Sequence, residues 1–195
     1  MLSEVPIKEL REDKLTKLEL HSKGLGATEA IVLAELIKVN PVLTNLSLYG
    51  NNIGVDGAKA IAEALKVNPV LTELNLWNNS IGPEGAMAIA EALKVNPVLT
   101  TLELWSNNSI GDDGAKAIAE ALKVNRVLTS LNLAGEPYSY GCFQAEGAKA
   151  IAEALKVNPV LTELNLQNNI FGNAKVALDE LRDAVKDRSR FIFHW

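Results

Sequence analysis

The sequence has few of the residues that reactive sites most often need. Its 195 residues include one cysteine, Cys142, and two histidines, His21 and His194. A single cysteine excludes an internal disulfide framework and a cysteine-based zinc site. No set of nucleophile, base and oxyanion donors is recognisable. We therefore expect no enzymatic activity, no metal site and no cofactor.

Long apolar runs and an excess of basic residues are also missing. Lys and Arg number 19 against 24 Asp and Glu, so the formal net charge is −5, which disfavours nucleic-acid binding. The longest apolar runs are much shorter than a membrane span, and residues 1–14 lack the apolar stretch of a signal peptide. These absences predict a cytoplasmic or intracellular protein with neither nucleic acid nor membrane as a partner.

What the sequence does contain is a repeat. The phrase written LTELNLWNN at residues 71–79 recurs at intervals of 28, 28, 28, 29 and 33 residues. Its opening leucines are Leu15, Leu43, Leu71, Leu99, Leu128 and Leu161. Residues 57–76 and 147–166 are the same twenty letters. This fidelity indicates either recent duplication or deliberate consensus construction.

Each repeat unit combines two periodicities. Leu74 and Leu76 alternate with polar residues, which is typical of a half-buried strand. Ile61 and Leu65 then share one face of an Ala-rich amphipathic segment, which predicts a helix. Asn68-Pro69 ends this helix, since Pro cannot continue it and Asn tolerates a left-handed turn. Such units stack sideways into a parallel sheet with helices outside, and the wider helices place the strands on the concave face.

The pattern LxxLxLxxN, followed by a Gly and an Ala-rich helix, resembles the ribonuclease-inhibitor class of leucine-rich repeats. Asn51, Asn79, Asn107 and Asn169 stand at the motif's Asn, whereas the fifth unit has Glu136 there. The resemblance covers about residues 15–190. It implies a right-handed solenoid arc, a ladder of Asn hydrogen bonds to neighbouring backbone, and a protein partner bound on the concave face or rim.

We expect one solenoid domain over residues 1–195. Residues 1–14 form an N-terminal cap, 15–172 form six repeats that begin at the leucines given above, and 173–195 form a C-terminal cap. RFIFHW, at the end of the C-terminal cap, predicts a last short strand that closes the sheet.

Four rings occupy equivalent, outward positions at the ends of consecutive strands: His21, Tyr49, Trp77 and Trp105. Adjacent strands lie about 4.8 Å apart, so these rings are expected to line up in one row on the concave face. Exposed Trp and Tyr are enriched as binding anchors. The row is therefore either a binding surface or a ladder that stacks on itself and stabilises the sheet.

Acidic residues accompany the rings on the same face. Glu73 and Glu103 border the row, and Glu19 and Glu163 lie further along the face, with Lys17 as the opposing charge. Acids beside rings favour a basic protein or peptide through ion pairs and cation–π contacts. The alternative is that they are ordinary solubilising residues on an acidic protein.

The fifth unit carries extra residues in a loop at 135–145. Tyr138, Tyr140 and Phe143 lie in this loop beside the unit of Trp105, and loops inserted into repeat arrays often carry function. The alternative is that the loop packs its own rings on the rim. Cys142 also lies here, and no neighbouring group in the sequence activates it.

These features predict a monomeric, non-enzymatic module that binds a protein or peptide. A second hypothesis is a structural or designed repeat scaffold with no dedicated partner. A third is a regulator of a small GTPase, because one branch of the resembling class activates GTPases, although no catalytic residue of that branch is marked here.

The scarcity of ligand residues gives a first testable prediction. Purified protein should contain no stoichiometric zinc or iron, because its two histidines and one cysteine lie far apart in the repeat order. Elemental analysis checks this directly. A metal present at one equivalent per chain would overturn the prediction.

Overall fold

Strands and helices alternate along the chain. The computed structural model describes residues 5–107, 110–135, 144–169 and 175–194. The helices are α1 (Ile7–Arg11), α2 (Ala27–Val39), α3 (Gly54–Leu65), α4 (Gly82–Leu93), α5 (Gly111–Val124), α6 (Ala145–Val157) and α7 (Lys175–Val185). The strands are β1 (Lys17–Glu19), β2 (Asn45–Ser47), β3 (Glu73–Asn75), β4 (Thr101–Glu103), β5 (Ser130–Asn132), β6 (Glu163–Asn165) and β7 (Ile192–His194). Within these described ranges, no helix is both long and apolar enough to cross a membrane.

The strands of the described chain form one parallel sheet in sequence order, from β1 to β7. Their central residues are register partners of one another: Leu18, Leu46, Leu74, Leu102, Leu131, Leu164 and Phe193. This arrangement confirms the predicted solenoid, with an open parallel sheet as one layer and helices as the other. The last strand lies within RFIFHW, as its alternation predicted.

The core lies between the sheet and the helices. Leu74 and Leu76 of the third unit are almost fully buried, as are Ile61 and Leu65 of the helix before them. A buried Leu or Ile contributes about 1.5–3 kcal/mol to the free energy of folding. In this protein the side chains that bury it belong largely to the neighbouring units. At the N-terminal end, Val5 and Leu10 are buried in the same core.

Glycine allows successive helices to approach closely. A Cβ at Gly57 would lie 2.3 Å from Cγ2 of Ile53 and 2.8 Å from Cβ of Ala30 in the preceding helix. Gly85 faces Ala58 in the same way, with a hypothetical Cβ 3.0 Å from the alanine Cβ. Because a side chain would push the helices apart, glycine at this position sets the spacing of the helix layer.

A row of buried asparagines joins the ends of the helices to the next strands. In each, Nδ2 donates to a carbonyl oxygen at the end of the helix in the unit before, at 2.5–2.8 Å. Its Oδ1 accepts from the backbone N–H groups two and three residues later, at 2.7–3.0 Å. The row, here called the asparagine row, comprises Asn40, Asn68, Asn96, Asn125 and Asn158.

The asparagine row corrects one sequence-based expectation. Asn68 is not among the residues with positive φ, and the equivalent Asn40 and Asn125 are extended, with ψ of 122° and 133°. The left-handed turn predicted for Asn68 is therefore wrong. An extended backbone is required because it directs the side chain inward, where the amide satisfies three backbone groups at once.

We predict that Asn68→Ala destabilises the protein by about 3 kcal/mol, because it leaves the buried N–H of Leu71 without a partner and removes one of the two hydrogen bonds that the carbonyl of Ile37 accepts. Asn52→Ala is the matched control, since Asn52 is exposed and its side chain makes no hydrogen bond within the described chain. Urea denaturation measures both. Equal losses of stability would show that the asparagine row is not a source of stability.

Candidate functional site

The four rings predicted to share a row do stack on one another. The ring centroids are 5.0 Å apart for His21 and Tyr49, 4.7 Å for Tyr49 and Trp77, and 4.0 Å for Trp77 and Trp105. The interplanar angles are 10°, 16° and 11°, so the rings lie nearly face to face. We call His21, Tyr49, Trp77 and Trp105 the ring row.

Backbone pairing beyond the strand ends sets the spacing of the ring row. The N–H of the residue after one ring donates to the carbonyl of the next ring residue, as from Gly50 to Trp77 at 2.9 Å and from Asn78 to Trp105 at 3.1 Å. Gly50 and Asn78 have φ of 70° and 51°, which turns the chain away towards the next helix. The rings therefore stack one strand spacing apart.

Asparagines fix the backbone on both sides of a ring residue. The Oδ1 of Asn75 accepts from the N–H of Trp77 at 2.9 Å, a contact that sequence reasoning missed although Asn two residues before such an N–H is a known turn signal. After the ring, Nδ2 of Asn79 donates to the carbonyl oxygens of Leu48 at 2.8 Å and of Trp77 at 3.0 Å. Asn51, Asn107 and Asn169 make corresponding bonds, which form the ladder that the resemblance implied.

Stacking changes what the rings can offer to a partner. Tyr49, Trp77 and Trp105 are half-buried. Tyr49 and Trp77 are stacked on both faces, whereas Trp105 stacks on Trp77 with one face. A ring in the middle of the row therefore presents its edge. A cation–π contact, which needs the ring face, is not available on either face of Tyr49 or Trp77.

A separate cavity of about 300 Å³ lies on the sheet face, beside the ring row. It spans β1 to β4 and is lined by Lys17, Glu19, Asn45, Leu46, Ser47, Glu73, Leu74, Asn75, Thr101 and Glu103. Glu73 and Glu103 thus both line this cavity from neighbouring strands, where the register pairs Glu73 with Thr101 and Glu103 with Asn75. The rings lie outside it. We call this space the sheet cavity.

The acids of the sheet cavity differ in how they are neutralised. The Nζ of Lys17 lies 2.8 Å from Oε1 of Glu19, so these two charges offset each other. Glu73 is exposed and has no ion-pair or hydrogen-bond partner among the residues that the structure describes. Glu73 therefore makes no direct ion pair in the sheet cavity, although its charge interacts with that of Lys17, and its exposed carboxylate is accessible to an external cation.

Glu103 is the partly buried acid of the sheet cavity. Its Oε2 accepts from Nδ2 of Asn132 at 2.7 Å, yet burial, together with a smaller repulsion from Glu163, outweighs this bond and raises the pKa of Glu103. The folded protein thus holds this proton more tightly than the unfolded chain does. Ionised Glu103 costs stability as the pH rises past its ordinary pKa, and a cation bound beside it would reduce that cost.

Glu163 lies two strands further along the face and already has partners. Its Oε2 accepts from the hydroxyl of Ser130 at 3.0 Å, and its Oε1 lies 3.7 Å from Nε2 of His194. Since the register pairs Glu163 with Ile192 and Ser130, it is far from Glu73 across the sheet. Glu163 is therefore separated from Glu73, but its charge still acts on Glu103 and contributes to the rise in the pKa of that residue.

The remaining predicted site residues are Tyr138, Tyr140 and Phe143, which lie outside the described residues. In the described part of the chain, no three His, Cys, Asp or Glu side chains are grouped as metal ligands would be.

Comparison with known proteins agrees with the repeat architecture. The family model described as Leucine Rich repeat matches three consecutive segments, at residues 39–62, 67–90 and 95–119. Each segment covers one strand and most of the helix that follows it. Among curated proteins, no sequence matches.

Two solved structures have the same fold at low sequence identity. The C-terminal domain of tropomodulin from Caenorhabditis elegans is 21% identical with a TM-score of 0.62, over 78% of this chain and 90% of that one. Leiomodin-1 Actin-Binding Site 2 is 19% identical with a TM-score of 0.53, over 95% of this chain and 90% of that one. At these identities the likeness shows the fold alone.

The stacking predicts unequal roles for the rings in stability. Trp77→Ala should cost about 2–4 kcal/mol, because Trp77 is stacked on both faces. His21→Ala should cost less than about 1 kcal/mol, because His21 is exposed and stacks on one face only. Thermal unfolding of the two variants checks this order, and similar melting temperatures would show that stacking contributes little.

Proposed function

Because this chain is a leucine-rich repeat protein, we propose that it is a non-enzymatic module that binds a protein or peptide on the concave face of its sheet. The observation that carries the proposal is the sheet cavity, where Glu73 has no internal partner and Glu103 is held half-buried. Without a bound partner, these two acids do not stabilise the folded protein, because burial disfavours the charge on Glu103.

The chemistry of the sheet cavity favours a basic partner. A lysine or arginine side chain placed between Glu73 and Glu103 would neutralise the free carboxylate and offset the burial of the other. The edges of Trp77 and Trp105 would form an apolar border for the rest of the partner. His21 and Tyr49 extend this border, and the loop with Tyr138, Tyr140 and Phe143 is proposed as a further contact at the other end.

The proposal includes the remaining properties expected from the sequence. The module works inside the cell as a monomer and without a cofactor, and it recognises neither nucleic acid nor membrane. The alternative is a structural or designed scaffold with no dedicated partner. The specific observation in its favour is the ring row, whose faces are already used within the protein.

Actin belongs among the first proteins to test. The name of one structural neighbour, Leiomodin-1 Actin-Binding Site 2, describes actin binding by that protein. Co-sedimentation with filaments and binding to labelled monomeric actin would measure this separately from the peptide experiment below.

A peptide array tests the proposed site. It should contain lysine- and arginine-rich peptides beside acidic peptides of equal length, and binding should be measured by fluorescence anisotropy at low and high salt. We expect basic peptides to bind, and to bind more weakly as salt screens the charges. The Glu73→Gln, Glu103→Gln double variant should bind at least about tenfold more weakly.

The matched control is the Glu63→Gln, Glu91→Gln double variant. It removes the same charge from the helix side, where these acids pair with Lys66 and Lys94 at 2.5 Å. The control should bind like the parent. Equal losses in both double variants would mean that net charge, not the sheet cavity, governs binding, and no binding by any peptide would favour the scaffold.

A further inference from the structure

The connection between α7 and β7 contains a half-buried arginine without a carboxylate partner in the described chain. Nη2 of Arg188 donates to the carbonyl oxygen of Leu161, and its Cζ lies 4.5 Å from the centre of the Phe191 ring. Nη1 is buried and has no hydrogen-bond partner among the described residues. The guanidinium is thus held in place on two sides while its charge stays uncompensated.

An uncompensated charge in this position is costly. Burial lowers the pKa of Arg188, but a guanidinium remains protonated in proteins, so the site cannot avoid the cost by losing a proton. The guanidinium is only partly buried, but its buried Nη1 has no acceptor among the described residues, and an acceptor there would reduce the cost of burial. A bound anion would therefore lower the free energy of this end of the protein.

The space beside Arg188 is suited to an anion. A cavity of about 290 Å³ is lined by Pro159, Thr162, Asp187, Arg188, Ser189, Arg190 and Phe191. Ser189 and Arg190 are exposed, and neither side chain has a partner within the described chain. A second cavity, of about 350 Å³, borders Arg188 on the side of Lys156. Asp187 is the one carboxylate among the residues that line either cavity.

We propose that the cavity formed by Arg188, Ser189 and Arg190 binds a phosphoryl group, either free phosphate or a phosphorylated side chain of a protein partner. Two arginines and a hydroxyl offer more donors than the two oxygens of a carboxylate can accept. A phosphoryl group presents three acceptor oxygens and matches the guanidinium fork. This site is distinct from the sheet cavity and takes a ligand of opposite charge.

The repeat supplies a matched control position. The register pairs the strand centres Leu131, Leu164 and Phe193 with one another. The residues five positions before these centres therefore occupy equivalent places, and they are Arg126, Pro159 and Arg188. Arg126 is exposed, and its Nη1 donates to the carbonyl oxygen of Asn125 at 3.1 Å. It carries the same charge at the same place in an earlier unit, but it lines neither cavity.

The test uses the whole chain labelled with ¹⁵N, titrated with inorganic phosphate, with a phosphoserine peptide and with the same peptide unphosphorylated. We expect saturable shift changes at residues 187–191 with phosphate and with the phosphopeptide. Changes with the phosphopeptide alone would assign the ligand to a protein partner, and changes with both would assign it to the phosphoryl group itself. No saturable change with either, or equal changes with the unphosphorylated peptide, would overturn the proposal.

Variants then assign the site to these residues. Arg188→Gln and Arg190→Gln should each weaken binding about tenfold or more, because each removes charged hydrogen bonds. Arg190 is exposed, so its variant keeps the test valid if Arg188→Gln fails to fold. Asp187→Asn should tighten binding by removing the opposing charge, and Arg126→Gln should change nothing. Full binding by both cavity variants, or equal loss with Arg126→Gln, would refute the site.

Discussion

The contact between successive repeat units is the constraint on which the rest of this structure depends. No unit buries its own apolar face, so each strand leucine and helix isoleucine becomes core only when the neighbouring units are in register. The register partners Leu46, Leu74 and Leu102 are each almost fully buried, and the same register then dictates where every outward residue stands. The core, the rows of asparagine hydrogen bonds and the candidate sites all follow from this register between neighbouring units.

Polar groups make this alignment specific. Apolar packing alone would tolerate small shifts in the register of neighbouring units. A shift that separates a buried amide N–H from its carbonyl oxygen leaves both the donor and the acceptor unsatisfied in the core. Two rows of asparagines impose this condition at opposite ends of the strands, with Asn68 near the start and Asn79 near the end. Threonines add a third row, since the Oγ1 of Thr72 donates to the carbonyl oxygen of Thr44 at 3.1 Å.

The fold and the ring row were predictable because both depend on periodicity. The spacing of the leucines set the register, and parity placed Trp77 and Trp105 on the same side as Glu73 and Glu103. Periodicity does not give the course of a long side chain or the depth at which it is buried. The uncompensated charge of Arg188 and the burial of Glu103 therefore emerged only from the structure. The left-handed turn at Asn68 was wrongly predicted for a related reason. Asn before a proline indicates the end of a helix, but the sequence does not show that the side chain of Asn68 points into the core.

The sites arise where the repeat allows variation without affecting the core. The inward leucines recur in every unit, but the first outward strand residue changes from Asn45 to Glu73, Thr101 and Ser130. Such exchanges alter the charge of the sheet face and leave the packing between units intact. The same holds at the connection to β7, where Arg188 stands in the place of Pro159. A solenoid can therefore carry an acidic site on its sheet and a basic site at its end, and each can change without the other because the two cavities share no lining residue.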